Sequence, residues 1–260
     1  MSNLVLYSSN QAVGLITLNR PEAMNTASFE MAEAFLEAVE AAQKDEQVRV
    51  IVLRGAGKVF CAGGDIKAMQ ECVNSEDRAG YFRKPVAKFC EMVLALRNCP
   101  KPVVAAVHGA AAGYGFNLML ACDFILAEEQ TRFVQAFIKI ALTPDGGGTW
   151  FLPRLVGYQR ACEIVMLPTE ISSQKALQMG LVNWVEQQDR FEEKLHEVTA
   201  HLVSSPLEAL ARAKALLNQA YSNDLETQLY AEQAALIAGA DSPDFAEGLQ
   251  AFLEKRKPNF

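Results

Sequence analysis

Three short apolar runs, Val48–Leu53, Val103–Val107 and Phe124–Ala127, constrain the fold most. Each is rich in β-branched or small residues and suits a strand buried in a sheet. Helical patterns lie between and around them. Ala32, Phe35, Leu36 and Val39 recur at i, i+3, i+4 and i+7, which predicts an amphipathic helix with Thr26 or Ser28 as its N-cap. Upstream, Leu4–Tyr7 and Val13–Leu18 read as a hairpin turning at Ser8–Gln11, and Asn19-Arg20-Pro21 stops its second strand. Residues 69–84 are polar without a clean period and are expected to be a mobile segment, followed by a helix over 85–98 that Pro100 and Pro102 end. Glycine-rich turns at 113 and at 146–148 each open another helical stretch. Beyond 189 the pattern is almost wholly helical, with helices expected from Leu207 and over Leu225–Ala240. That order predicts an α/β core over 1–195 and a helical unit over 196–260.

Composition limits the functions available to such a fold. Of 260 residues, 50% are hydrophobic and 21% charged, which suits a globular chain rather than a disordered one. A formal charge of −7 gives no general attraction to nucleic acid or an anionic membrane. The longest apolar stretches, around Val103–Val107 and Leu118–Ala121, fall well short of a membrane span. The N-terminus shows neither a basic start nor a long apolar run, so a cytoplasmic location is expected. The cysteines at 61, 72, 90, 99, 122 and 162 form no CxxC pair and read as thiols, Cys61 as a packing residue. His108, His196 and His201 make no HExxH set, so no metal site is expected.

Two glycine-rich turns each follow an apolar run: Phe60-Cys61-Ala62-Gly63-Gly64-Asp65, and Gly109 through Asn117. Glycines let backbone approach a ligand and free amide N–H groups to point at it, and the second turn also opens a helix whose N-terminal amides favour negative charge. Together they could supply two N–H donors to one oxygen; singly, either is ordinary turn chemistry. Nucleotide readings fare worse. Gly55-Ala56-Gly57-Lys58 lacks the spacing and the following Ser/Thr of a P-loop, and the turn at Gly113 lacks the third glycine of a dinucleotide fingerprint.

In order, LNRPEAMNT (18–26), VFCAGGDIKAM (59–69), KPVVAAVHGAAAGYGFNLMLACDFILA (101–127), LTPDGGGTWFLPRLVG (142–157) and SSQKALQMGLVNWV (172–185) resemble the enoyl-CoA hydratase/isomerase (crotonase) superfamily over nearly the whole chain. The resemblance implies a spiral of ββα units with a helical trimerisation region, assembled as a homotrimer or homohexamer. It also implies acyl-CoA thioester substrates, with coenzyme A part of the substrate and no separate cofactor. The family's two oxyanion donors are backbone amides, which fall on Gly64 and Tyr114.

The hydratases resemble one another in two glutamates that handle water, and their positions hold Asn117 and Phe137 here. Neither is a general base near neutral pH. A carboxylate stands instead at Asp145, in LTPDGGG, where the segment resembles the ring-1,2-epoxyphenylacetyl-CoA isomerases and related enoyl-CoA isomerases, as does EGLQAFLEKRKPNF (247–260). By itself Asp145 could equally be a turn residue or cap after Pro144. With Phe133, Ala136, Phe137 and Leu142 around it, its pKa is expected to rise, making it a proton shuttle. The 4-chlorobenzoyl-CoA dehalogenases also place an aspartate there, but the position of their histidine base is Cys90 here.

For coenzyme A, the resemblance implies contacts from Ala23, Met24, Ala62, Asp65 and Ile66. Many relatives have a basic residue at the position of Ala23. Lys255 is either a phosphate ligand or a solvated lysine on a terminal helix. Asn117 either bonds a substrate group or Asp145, or is a satisfied polar residue at the pocket rim. His108 reads as structural. The segment 69–98 should set the acyl preference. The expected activity is double-bond movement or ring rearrangement in an enoyl-CoA thioester, against two alternatives: an atypical hydratase and a non-catalytic acyl-CoA-binding subunit.

Overall fold

The computed structural model describes residues 3–260. Strands β1 (Val5–Asn10) and β2 (Val13–Leu18) form an antiparallel hairpin. Its turn is Gln11-Ala12, at φ 49° and 66°, one step later than expected. Such a two-residue turn matches the right-handed twist of the flanking strands. Ser8–Asn10 stay in the strand because β1 is a sheet edge, where polar side chains face water.

Helix α1 (Phe29–Lys44) is capped by Ser28, whose hydroxyl accepts from the Met31 N–H at 3.2 Å. It buries Ala32, Phe35 and Val39 against the sheet, as their spacing required. Strand β3 (Val50–Gly55) follows, then α2 (Ile66–Cys72) and α3 (Arg78–Asn98). These two helices correct the reading of 69–84 as a segment without regular structure. α2 and the first turns of α3 lie at the surface with few buried side chains, and Asp65 and Asp77 cap the two helices; the rest of α3, the helix expected over 85–98, buries Phe89, Met92, Val93 and Leu96. Pro85 falls inside α3, where its missing N–H leaves one helical bond unmade.

Strands β4 (Val103–Val107) and β5 (Ala110–Ala112) lead into α4 (Tyr114–Leu120). Then come β6 (Phe124–Glu128), β7 (Arg132–Val134), α5 (Gly148–Val156) and α6 (Tyr158–Met166). After β8 (Ile171–Ser172), α7 (Ser173–Gln178) and β9 (Trp184–Glu186), the chain is helical: α8 (Gln188–Val203), α9 (Leu207–Gln219), α10 (Leu225–Ala240) and α11 (Pro243–Glu254).

The main sheet runs β1-β2-β3-β4-β6-β9, parallel from β2 onward, and β5-β7-β8 form a small second sheet. Alternate residues of the central strands serve opposite faces. Ile51 and Leu53 pack with α1, α3 and α4, whereas Val50, Val52, Val104 and Leu126 meet Phe191, Leu195, Val198 and Leu202 of α8. Apolar cover on both faces is what a parallel sheet needs. Residues 195 and 196, where the sequence suggested a boundary, both lie inside α8, which packs on one face of the sheet. No helix among the described residues is long and apolar enough to cross a membrane.

Candidate active site

Parallel pairing brings the two glycine-rich turns together. Phe60 N–H donates to His108 O (2.9 Å), Cys61 N–H to Ala110 O (3.2 Å), and Ala112 N–H to Cys61 O (3.0 Å). His108 itself bonds the Gly57 carbonyl at 3.0 Å, a structural tie. Burial pushes the Cys61 thiol up to about 12, so it is a packing group and not a nucleophile. On the far side, Ala27 N–H donates to Gly63 O (2.7 Å) and Asp65 N–H to Ala27 O (3.3 Å). A parallel bridge of this kind uses residues 63 and 65 and turns the Gly64 N–H the other way.

Gly63 has φ 106°, and a Cβ there would sit 3.0 Å from Ala112 O and 3.7 Å from Tyr114 N. The turns are thus within van der Waals contact, and only glycine allows it. Tyr114 opens α4, where first-turn amides have no helical partner. Neither the Gly64 nor the Tyr114 N–H donates to a group among the described residues. The Tyr114 side chain points away into the core, its hydroxyl donating to Phe89 O at 2.9 Å.

Gly64 and Tyr114 both line a cavity of about 450 Å³. Its remaining wall is mostly apolar: Met69 of α2, Phe82, Val86 and Phe89 of α3, and Phe137, Ile140 and Leu142 of the following loop. Asp145 is the one carboxylate lining it. Burial raises that carboxyl to about 6, partly offset by its own backbone N–H, and Oδ1 is buried without a hydrogen-bond partner. A carboxyl with one oxygen buried and unpartnered among the described residues is costly to ionise, which is the cause of the shift.

Asn117 lies behind Asp145 and lines no part of the cavity. It is fully buried; its Nδ2 donates to the Asp145 backbone carbonyl at 2.7 Å, and its Oδ1 accepts from Gln135 Nε2. Of the two bonding partners considered from the sequence, the observed one is Asp145. Gly148 makes room for this clamp, since a Cβ there would meet Asn117 Oδ1 at 2.5 Å. Gln135 went unnoticed in the sequence; the signal is a glutamine two residues after the buried Phe133.

The other expected residues are spread along the same edge. Ala62 and Ile66 line the cavity, and Phe137 closes it next to Gly113. Met24 is exposed at φ 52°, with its carbonyl accepting from Ala62 N–H at 3.0 Å, and Ala23 beside it is half-buried. The Asp65 carboxylate is already engaged, capping α2 through Lys67 and Ala68 N–H and pairing with Arg20 at 2.7 Å. These contacts hold it below the usual carboxylate range despite the opposing effect of burial, the largest single influence. Lys255 ends α11, exposed, and does not line this cavity. Cys90 lies just beyond it, its thiol raised by burial and by nearby Asp145.

The enoyl-CoA hydratase/isomerase family profile matches residues 8–260. A probable enoyl-CoA hydratase of Rhodobacter capsulatus is 39% identical over 98% of this chain and 97% of its own length. The 1,2-epoxyphenylacetyl-CoA isomerase of Escherichia coli is 35% identical over 100% of this chain and 99% of its own. The crystal structure of an enoyl-CoA hydratase from Polaromonas sp. JS666 superimposes with a TM-score of 0.92 at 35% identity, covering 98% of both chains. The α/β spiral core with its C-terminal helices is the crotonase fold, and the chain belongs to the enoyl-CoA hydratase/isomerase family of acyl-CoA enzymes.

Proposed function

We propose that the chain is an enoyl-CoA isomerase that uses Asp145 as its single acid–base group and the Gly64 and Tyr114 amides as its oxyanion donors. The observation that carries this reading is a lone carboxyl, with one oxygen unpartnered, on a residue lining the same cavity as Gly64 and Tyr114, whose backbone N–H groups make no bond among the described residues. Similarity to the 1,2-epoxyphenylacetyl-CoA isomerase supports the branch.

On a 3-enoyl thioester, the ionised Asp145 takes a proton from C2. The C–H electron pair moves into the C1–C2 bond and places negative charge on the thioester oxygen, where the two amides bond it. Asp145, now protonated, returns the proton to C4: the C3–C4 π pair forms the new C4–H bond, the C1–C2 pair moves to C2–C3, and the oxygen's pair restores the thioester carbonyl. One group serves both steps, and no water is consumed. Removing one such donor typically costs about 2.7–4 kcal/mol of transition-state stabilisation. Hydration needs a water-activating group as well, and Asn117 and Phe137 offer none. Coenzyme A would lie along Ala23, Met24, Ala62, Asp65 and Ile66.

The helical unit supports self-assembly into a trimer or hexamer. Helices α9–α11 bury one side chain, Ala251, while Leu225, Leu236, Phe252 and Leu253 are 71–81% exposed. A 28.5 kDa species in solution would contradict it.

The test is product identity. With 3-enoyl-CoA and 2-enoyl-CoA as substrates, the reading requires interconversion of the two and no 3-hydroxyacyl-CoA. Dominant 3-hydroxyacyl-CoA would make the chain a hydratase.

A further inference from the structure

A second cavity, of about 440 Å³, lies beside the first. Phe89 and Cys90 are successive residues of α3, and Asp145 and Gly146 successive residues of the loop. In each pair the first lines one cavity and the second lines the other. The two spaces therefore border the same two segments, on either side of Asp145–Gly146.

The walls of the second cavity are apolar along their length, from Val93, Leu94, Trp150 and Phe151, but Arg97, Asn98 and Asn218 stand among them. Arg97 is two helical turns beyond Cys90, about 10 Å along α3. Its Nη2 donates to Asn218 Oδ1, and the Asn218 amide donates back to Arg97 O at 2.8 Å. The nearest carboxylate, Asp123, lies 4.0 Å from Arg97 and is taken by Lys214 at 2.7 Å. A further guanidinium, Arg154, stacks over Trp150 at 4.1 Å and makes no ion pair among the described residues. On α3, Glu91 beside Cys90 is paired with Lys88 at 2.7 Å. Arg97 is thus the cation lining the second cavity, and the carboxylate near it, Asp123, is engaged by Lys214.

We infer that the second cavity is a distal acyl pocket, taking the far end of a CoA-linked acyl chain that terminates in a carboxylate, with Arg97 and Asn218 as its binding groups. The inference rests on the acyl-CoA reading of the first cavity. Methylenes suit Val93, Leu94, Trp150 and Phe151. A methyl terminus would cover the Arg97 guanidinium and strip its water without replacing it, whereas a carboxylate accepts two parallel N–H bonds. The pocket therefore discriminates both by attraction and by the cost of the wrong end group.

Equilibrium binding by calorimetry tests this without any turnover. The ligands are saturated acyl-CoA thioesters of medium length in matched pairs, one of each pair ending in a carboxylate and one in a methyl group. Wild type should bind the carboxylate member about tenfold tighter. Arg97→Met should level or reverse the ratio, and Arg97→Lys should keep part of it. Because the ratio compares two ligands on one protein, a general loss of folded enzyme does not mimic the effect. If both members bind wild type alike, or Arg97→Met keeps the preference, the inference falls and the acyl-CoA reading stands. If neither member binds, the acyl-CoA reading falls as well.

Discussion

The Asn117 side-chain amide donates a 2.7 Å hydrogen bond to the backbone carbonyl of Asp145, and through it the helix after one oxyanion turn holds the loop that carries the carboxyl. The same asparagine is anchored behind by Gln135. Asn117→Ala should lower thermal stability by about 1–3 kcal/mol, the usual cost of orphaning a buried acceptor. It should also lower kcat more than it raises KM, because the substrate contacts remain while Asp145 loses its aim. Steady-state kinetics beside a melting curve check this; an unchanged kcat would make Asn117 a packing residue only.

Gly148→Ala should act on the same clamp from the other side. The new Cβ would stand 2.5 Å from Asn117 Oδ1. Overpacking of this kind costs about 1–3 kcal/mol, and kcat should fall in parallel with Asn117→Ala. The double variant should lose less than the sum of the single losses, since both damage one contact. Strict additivity in a double-mutant cycle would count against a shared clamp.

Asp145 makes the protein's stability and activity oppose each other in pH. Its folded pKa, about 6, lies above the ordinary value, so its contribution to stability is complete below about pH 4 and is lost as pH rises through 6. Asp145→Asn removes that penalty. At pH 7–8 the variant should be more stable than wild type by up to about 3 kcal/mol, and at pH 4 the difference should vanish. Denaturant melts at the two pH values check the sign. The activity of wild type should rise with pH and level off above an inflection near 6 in kcat/KM, because the ionised form is the base.

The exposed apolar face of the C-terminal helices should be covered by other copies of the chain. Leu236, 74% exposed on α10, replaced by Arg, should shift sedimentation toward the monomer and lower the melting temperature. An unchanged sedimentation coefficient would place the interface elsewhere.

The sequence carried the buried strands, the α1 stripe and the two glycine turns, because each depends on local pattern. The helix at 66–72 and the first turns of α3, 78–84, were hidden because most of their side chains face water or the cavity rather than the core, whereas the rest of α3 matches the helix expected over 85–98. The caps at Asp65 and Asp77 were the available signal. Asp145 could be singled out from the residues aligned with it. A bond from Asn117 to Asp145 was among the expectations, but the anchoring of Asn117 by Gln135 was not, since no local pattern joins residues 18 apart in the chain. The second cavity was equally invisible, because Arg97 and Asn218 meet across 121 residues.

The central claim is that one carboxyl moves the proton. Wild type and Asp145→Ala are incubated with 3-enoyl-CoA in heavy water, and deuterium at C2 and C4 is followed by NMR alongside the products. The account requires wild type to form 2-enoyl-CoA with Asp145-dependent exchange and no 3-hydroxyacyl-CoA, and Asp145→Ala to lose both isomerisation and exchange. Undiminished isomerisation and exchange in Asp145→Ala would contradict it.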